Sequence, residues 1–418
     1  MNNNLFLNFI YTLYACGLAC CYLLPQLHLL IRIQELAVLS FLFSAIFIFR
    51  GKALVDASNI LVKSVPYLLV SFIVSYPFSI KYGLVHPFLL LWNTVFPVLL
   101  CKDIIEKKNQ TVIFVLICLS VSLFLYVGWQ TFIQSADNQN IARMMTNGDT
   151  DEDVLAEMKL MGVGGFGAAY SSGVYAIVSA VLILHFTLKK YERIILIALL
   201  LVALYYVLNA MFTTLILITF ASFAIILIYR EKRKSNILYI SFFLVLFFFL
   251  LPSLLQIAIE YEKDSPVGDH LYEIYMKLYG TVSATTERDQ FMMKNIAAMF
   301  DSPLLGHDIS SGYYGELTRN SHSTFWSIVI NTGIVGVVSY FSVYVRAYRT
   351  VKNKVTKIQE KQIYLPLVVY FLLLSFFNPS DAFEVSWALF FVAPLVYSTY
   401  KLKENESNQY KCSTSINS

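Results

Sequence analysis

Charge is the first thing this sequence is short of. Only 14% of its 418 residues are Asp, Glu, Lys or Arg, where a soluble domain carries about a quarter. So little charge excludes a large water-soluble enzyme. Cysteine is sparse and placed away from any oxidising loop. Cys16, Cys20, Cys21, Cys101 and Cys118 fall in or beside apolar runs and Cys412 in the polar tail, so no disulfide framework is expected. The opening "MNNNLFLNFIY" has no basic leader, which predicts an uncleaved first span rather than a signal peptide. Cys21 follows "LAC", but an ordinary span cysteine is the simpler reading than a lipoprotein box. There is no internal repeat and no low-complexity tract. "GVGGFG" at 162–167 lacks the dinucleotide-binding spacing, and no strand precedes it.

What is present is apolar sequence in long blocks: 57% of the residues are hydrophobic and the mean hydropathy is +0.63. "TVIFVLICLSVSLFLYVGW" and "ILYISFFLVLFFFLLPSLL" are typical runs. About 20 such residues cross a bilayer as a helix. The expected fold is an all-α polytopic membrane protein of about twelve spans. These are 5–24, 34–50, 62–80, 84–101, 111–134, 168–188, 194–209, 211–229, 236–258, 322–345, 363–378 and 385–400. With the N-terminus cytoplasmic, most of the 31 lysines and arginines fall in inside loops, among them Lys107, Lys108, Arg230, Lys232, Arg233 and Lys234. Both termini are then cytoplasmic. The net charge of +4 reflects this topology and does not indicate a nucleic-acid partner.

The chain divides accordingly. Residues 1–134 hold five spans, 135–167 a first long outside loop, and 168–258 four spans. Residues 259–321 form a large outside loop, 322–400 three C-terminal spans, and 401–418 a cytoplasmic tail. Loops this long are commonly functional. In the first, Asp149-Thr150-Asp151 spells a DxD that could hold a metal. The better reading is a capping box of Thr150 and Asp153 opening a short helix over 151–161. Gly162–Gly167 lets backbone approach something closely or gives a flexible entry to the next span. In the second loop, helices are expected at 269–279 and 287–300, followed by a polar loop "HDISSGYYGELTRNSH".

Arg288 opens the second of these helices, the end where the helix dipole disfavours a cation. Either Glu287 and Asp289 pair with it on the surface, or arginine and helix terminus together face an anion such as phosphate. His322 heads the tenth span, where the dipole holds the imidazole neutral and able to accept a proton. On an ideal helix Gly333 and Gly336 lie about 20° and 40° from His322, roughly 16 Å below it. That spacing predicts a small-residue face for a packed helix or a lipid chain.

"HSTFWSIVINTGIVG" has His-Ser, nine residues, Gly, two residues, Gly. With the preceding "ERDQFMMKNIAAMFDSPLLGHD" and the "GVGGFGAAY" entry, it resembles the O-antigen polymerase and ligase superfamily of Wzy-like and WaaL-like proteins. The arginine-to-glycine repeat of some polymerases is absent from both loops. The resemblance implies a C-type membrane glycosyltransferase acting on undecaprenyl-pyrophosphate-linked glycans in O-antigen or capsule synthesis. It implies that His322 handles the acceptor hydroxyl and that Arg288, with Arg319, Arg143 and His307, binds pyrophosphate and glycan. It implies no cofactor and no metal. Membrane lipids, a chain-length regulator and a flippase are the implied partners. A polymerase is favoured over a ligase because the first long loop, with Arg143 and the glycine-rich entry, looks more like polymerases, and both are favoured over a transporter because few ionisable residues lie deep in the spans.

Overall fold

In the computed structural model, the described residues are 3–49, 52–107, 109–134, 151–210, 212–230, 287–310, 312–320, 323–352, 359–378 and 382–400, with isolated positions between 253 and 276. Among them there are helices and no strands. The N-terminal half contains α1 (Asn3–Leu23), α2 (Ile33–Phe43), α3 (Lys52–Leu61), α4 (Val65–Ser75), α5 (His86–Lys107) and α6 (Gln110–Trp129). After them come α7 (Glu152–Leu160), α8 (Phe166–His185), α9 (Lys190–Asn209) and α10 (Thr213–Arg230). The C-terminal part contains α11 (Glu287–Asp301), α12 (Gly312–Asn320), α13 (Thr324–Lys352), α14 (Gln359–Phe377) and α15 (Phe383–Trp387), whose helical backbone continues to residue 400.

Among the described residues, seven helices are long and apolar enough to cross a membrane, and Ile33–Ile48, Thr213–Ile228 and Tyr364–Phe377 are shorter apolar helices. The chain is therefore an all-α protein with membrane-spanning helices. The expected span 236–258 and the expected helix 269–279 lie largely outside the described residues.

Local sequence explains the ends. Asn109 caps α6, its side chain accepting from the Val112 N–H at 3.3 Å. Asp151, not Thr150, caps α7, accepting from the Asp153 N–H at 3.2 Å. The helix that holds the expected fourth span, 84–101, continues past it. The helix runs on to Lys107, with Lys102 and Asp103 buried, because polar partners are at hand. Tyr11 Oη donates to Asp103 Oδ2 at 2.7 Å, and Lys107 Nζ reaches the same oxygen at 2.6 Å.

The middle of the fold is α8. Its first turns are small residues, Gly167, Ala168, Ala169, Ser171, Ser172 and Gly173, so α9, α10 and α15 approach it closely. One end of the bundle is tied by polar contacts between spans. Asn378, just past α14, accepts from the Thr324 N–H at 3.3 Å through its carbonyl. Its side-chain Nδ2 donates to Thr214 Oγ1 at 3.0 Å, and Thr214 Oγ1 also meets Tyr170 Oη at 2.6 Å. The starts of α10 and α13, the first turns of α8 and the end of α14 thus share one level.

Candidate functional site

At that level α11 and α12 form a helical hairpin against α13. The expected polar loop after Asp308 is helical from Gly312 to Asn320. Asp308 starts it, accepting from the Ser310 N–H at 3.0 Å and the Ser310 hydroxyl at 2.7 Å. Tyr314 Oη lies 3.5 Å from Asp301 Oδ2, and Leu317 packs with Ala298, so α12 runs back along α11.

The hairpin's turn, Pro303-Leu304-Leu305-Gly306, enters a break in α13. Gly333 has φ 59°, ψ −164° and interrupts the helix there. In an unbroken helix the Ile334 N–H would donate to the Ile330 carbonyl. Here Ile334 N donates to Pro303 O at 2.8 Å, and Ile330 O accepts from His307 N at 2.7 Å. Both halves of one opened helical hydrogen bond are satisfied by the same turn, as a backbone group inside a membrane protein requires. Two left-handed glycines permit the contact. A β-carbon on Gly333 would run into the Leu304 carbonyl, and one on Gly306, at φ 72°, into the Asn331–Thr332 peptide. The continuous helical face expected through Gly333 and Gly336 is therefore interrupted. Gly333 meets backbone, and Gly336 is buried against the Thr332 side chain of its own helix.

Below the break the environment is polar. Asn331 is buried; its Oδ1 accepts from Ser75 Oγ at 3.0 Å and its Nδ2 lies 3.4 Å from Ser71 Oγ. Asn295 on α11 is also buried, and its Oδ1 has no hydrogen-bond partner.

The expected site residues fall as follows. His307 has its ring stacked on Tyr314, centroids 3.7 Å apart, with Nε2 at 2.9 Å from the Ala298 carbonyl. A carbonyl can only accept, so Nε2 carries the proton and the ring clamps the hairpin together. The Arg288 backbone is in the first turn of α11, and the Arg319 backbone in the last turn of α12, the favourable end for a cation. Their side chains, and all of Arg143, His322 and Asp149, lie outside the described residues. Ser323 caps α13, its Oγ accepting from the Trp326 N–H at 3.3 Å and donating to the Phe376 carbonyl at 2.8 Å. His322 is thus the residue immediately before the cap.

A second polar position carries no motif. Glu384, in the first turn of α15, packs its carboxylate against Gly167 so closely that a β-carbon there would overlap it. This is what the glycine-rich entry to α8 approaches. His28 and Lys159 are basic residues in its surroundings. The carboxylate lines a narrow recess with Ser171, Tyr175, Phe124 and Gly128. The one sequence signal for it was an acidic residue heading the last apolar run.

No family model matches the chain, and no curated protein matches it either.

Proposed function

We propose that this chain is a twelve-span membrane glycosyltransferase that polymerises undecaprenyl-pyrophosphate-linked repeat units at the outer face of a bacterial cytoplasmic membrane, with both termini cytoplasmic. The observation that supports this reading is the unity of the hairpin. The Arg288-led helix, the Pro-Leu-Leu-Gly turn and the glycine of α13, which carry the resemblance, form one interlocked unit. Because α12 runs back along α11, Arg319 returns toward the Arg288 end of the hairpin, and His322 follows three residues later. An arginine at a helix N-terminus, as Arg288 is, favours a diphosphate.

In the proposed reaction His322 takes the proton of the acceptor sugar hydroxyl. The hydroxyl oxygen bonds to the anomeric carbon of the donor glycan as that carbon's bond to pyrophosphate oxygen breaks. Undecaprenyl pyrophosphate leaves, and Arg288 and Arg319 stabilise the charge that develops on it. With arginines neutralising the diphosphate, no metal is required.

The test is purified protein given lipid-linked repeat units as sole substrate in the presence of chelator. A ladder of lipid-linked polymer is expected. His322→Ala should slow it about 10²–10⁴-fold, the worth of a positioned base. Arg288→Lys should be as poor, since a point charge does not replace the planar fork. A strain lacking the gene should retain single lipid-linked units and lose long chains. If lipid-linked polymer accumulates in that strain instead, the protein is the ligase that moves finished glycan to an acceptor. If neither pool changes, the glycosyltransferase reading fails.

A further inference from the structure

One stripe of the hairpin, along the second half of α11 and into the turn, is apolar where water would demand polar residues, with the exposed charges Lys294, Asp301 and Glu316 to either side of it. Among the described side chains of α11 the exposed ones are Met293, Lys294, Ala297, Phe300 and, at its end, Asp301, and the buried ones Asn295 and Ala298. At about 100° per residue, Met293, Ala297 and Phe300 share an arc of roughly 60°, opposite Asn295 and Ala298. A surface helix facing water carries charge on that arc. This one carries side chains exposed by 67% at Met293 and 70% at Phe300. The stripe continues into the turn through Leu304 and Leu305, both exposed.

The turn's depth is fixed by its hydrogen bonds. It is bonded to Ile330 and Ile334, well inside the apolar span Thr324–Ala347. At about 1.5 Å per residue these positions lie roughly 9–15 Å along α13 from its start, within a hydrocarbon core about 30 Å thick. Beside them Ile334, Val335 and Val338 are exposed on the same span. The hairpin's apolar stripe is therefore continuous with a surface that a membrane-spanning helix presents to lipid. The turn also suits that setting. Pro303 has no N–H to strand, Gly306 N donates to Ser302 O at 3.1 Å, and Ser302 N is directed at Ala298 O.

We infer that the α11–α12 hairpin is a re-entrant element immersed in the leaflet that holds the start of α13, with Met293, Phe300, Leu304 and Leu305 against phospholipid acyl chains. Lys294 flanks the stripe, where its long stem can carry the ammonium toward the headgroups. This contact is with bulk lipid and stands whether or not the chain transfers sugars.

The experiment uses the full chain with its native cysteines replaced, reconstituted in phosphatidylcholine–phosphatidylglycerol nanodiscs. Spin labels are placed one at a time through Phe300→Cys and Leu304→Cys. Val338→Cys serves as a span reference and Asp153→Cys as an exposed reference outside the spans. Collision with oxygen, which concentrates in lipid, is compared with collision with a water-soluble nickel chelate. The expected result is oxygen exceeding chelate at both hairpin positions, as at Val338, with Asp153 reversed. Chelate exceeding oxygen at Phe300 and Leu304 would overturn the inference and return the hairpin to water. Labels shielded from both reagents would overturn it too, because protein would then cover the face. Should Phe300→Cys fail to fold, Ala297→Cys reports the same stripe with a smaller change.

Discussion

α8 and α13 are comparably apolar, and both carry glycines within their spans. Yet α8 is continuous, with 89% of the residues of its most apolar stretch buried, whereas α13 is broken, with 61% of its corresponding stretch buried. The difference lies in what comes up to the glycines. In α8, Gly173 faces the Tyr370 ring and Gly167 faces the Glu384 carboxylate, both side chains from other helices. The helix stays intact because side chains can adjust around it. In α13, Gly333 faces the Leu304 carbonyl. Backbone can approach backbone this closely only if one helical hydrogen bond opens and its two halves find new partners. A glycine can therefore serve as a packing recess or as a joint, and the composition of the helix does not distinguish the two.

The largest expected effect comes from closing the joint. Gly333→Ala must adopt a left-handed backbone, at about 1–2 kcal/mol for a residue with a β-carbon. It also displaces the turn and with it the His307–Ile330 and Pro303–Ile334 bonds, worth about 1 kcal/mol each. A loss of roughly 3 kcal/mol is expected, read as thermal unfolding in detergent, together with new protease cleavage within 287–320. Gly306→Ala should cost about as much. The double variant should be scarcely worse than either single, because the two glycines guard one contact. Additive losses would mean that each glycine has its own partner and that the joint is not a single unit.

A smaller effect is expected in α8, and it should be curable. Gly173→Ala pushes a methyl at the Tyr370 ring, an overpacking of about 1–3 kcal/mol. In a Tyr370→Leu background the obstacle is shorter, and the same change should cost less than about 1 kcal/mol. Leu304→Ala should give Gly333→Ala no such relief, because the obstacle there is a carbonyl. Rescue of Gly333→Ala by Leu304→Ala would erase the distinction between recess and joint.

Much of this was legible in the sequence, for a physical reason. Long apolar runs have few alternatives to helix, so the spans at 5–24, 111–134 and 168–188 lie close to α1, α6 and α8. The helix opening at Glu287 and the stop after Asp301 followed from a polar start and Ser302-Pro303. α12 was not legible: "GYYGELTRN" is short and polar with two glycines, and its order comes from His307, Asp301 and Ala298 across the hairpin. The break at Gly333 was not legible either. Two glycines three residues apart inside an apolar run fit ideal helix packing, and only the arrival of the 303–306 turn makes one of them a joint. Glu384 was invisible because its significance rests on Gly167, distant in sequence and brought near by the packing of α8 on α15.

That last pair gives the smallest expected effect and the sharpest limit on the recess idea. Glu384 is buried in the bundle, with its own backbone N–H and the basic residues His28 and Lys159 offsetting only part of what burial costs its charged form. Glu384→Gln keeps the shape and removes the ionisable group. A buried carboxyl group whose basic neighbours only partly offset its burial contributes little net stability. The substitution should therefore change stability by less than about 1 kcal/mol, in either direction. Gly167→Ala should cost more than that alone and recover in a Glu384→Ala background, since the overlap is with the carboxylate itself. A normal unfolding temperature for Gly167→Ala beside an intact Glu384 would show that the carboxylate swings away freely. Gly167 would then be a flexible entry to α8, and the close approach would be incidental. A loss for Glu384→Gln as large as that for Gly333→Ala would instead make the charge a strut between α8 and α15, leaving Gly173 as the one true recess.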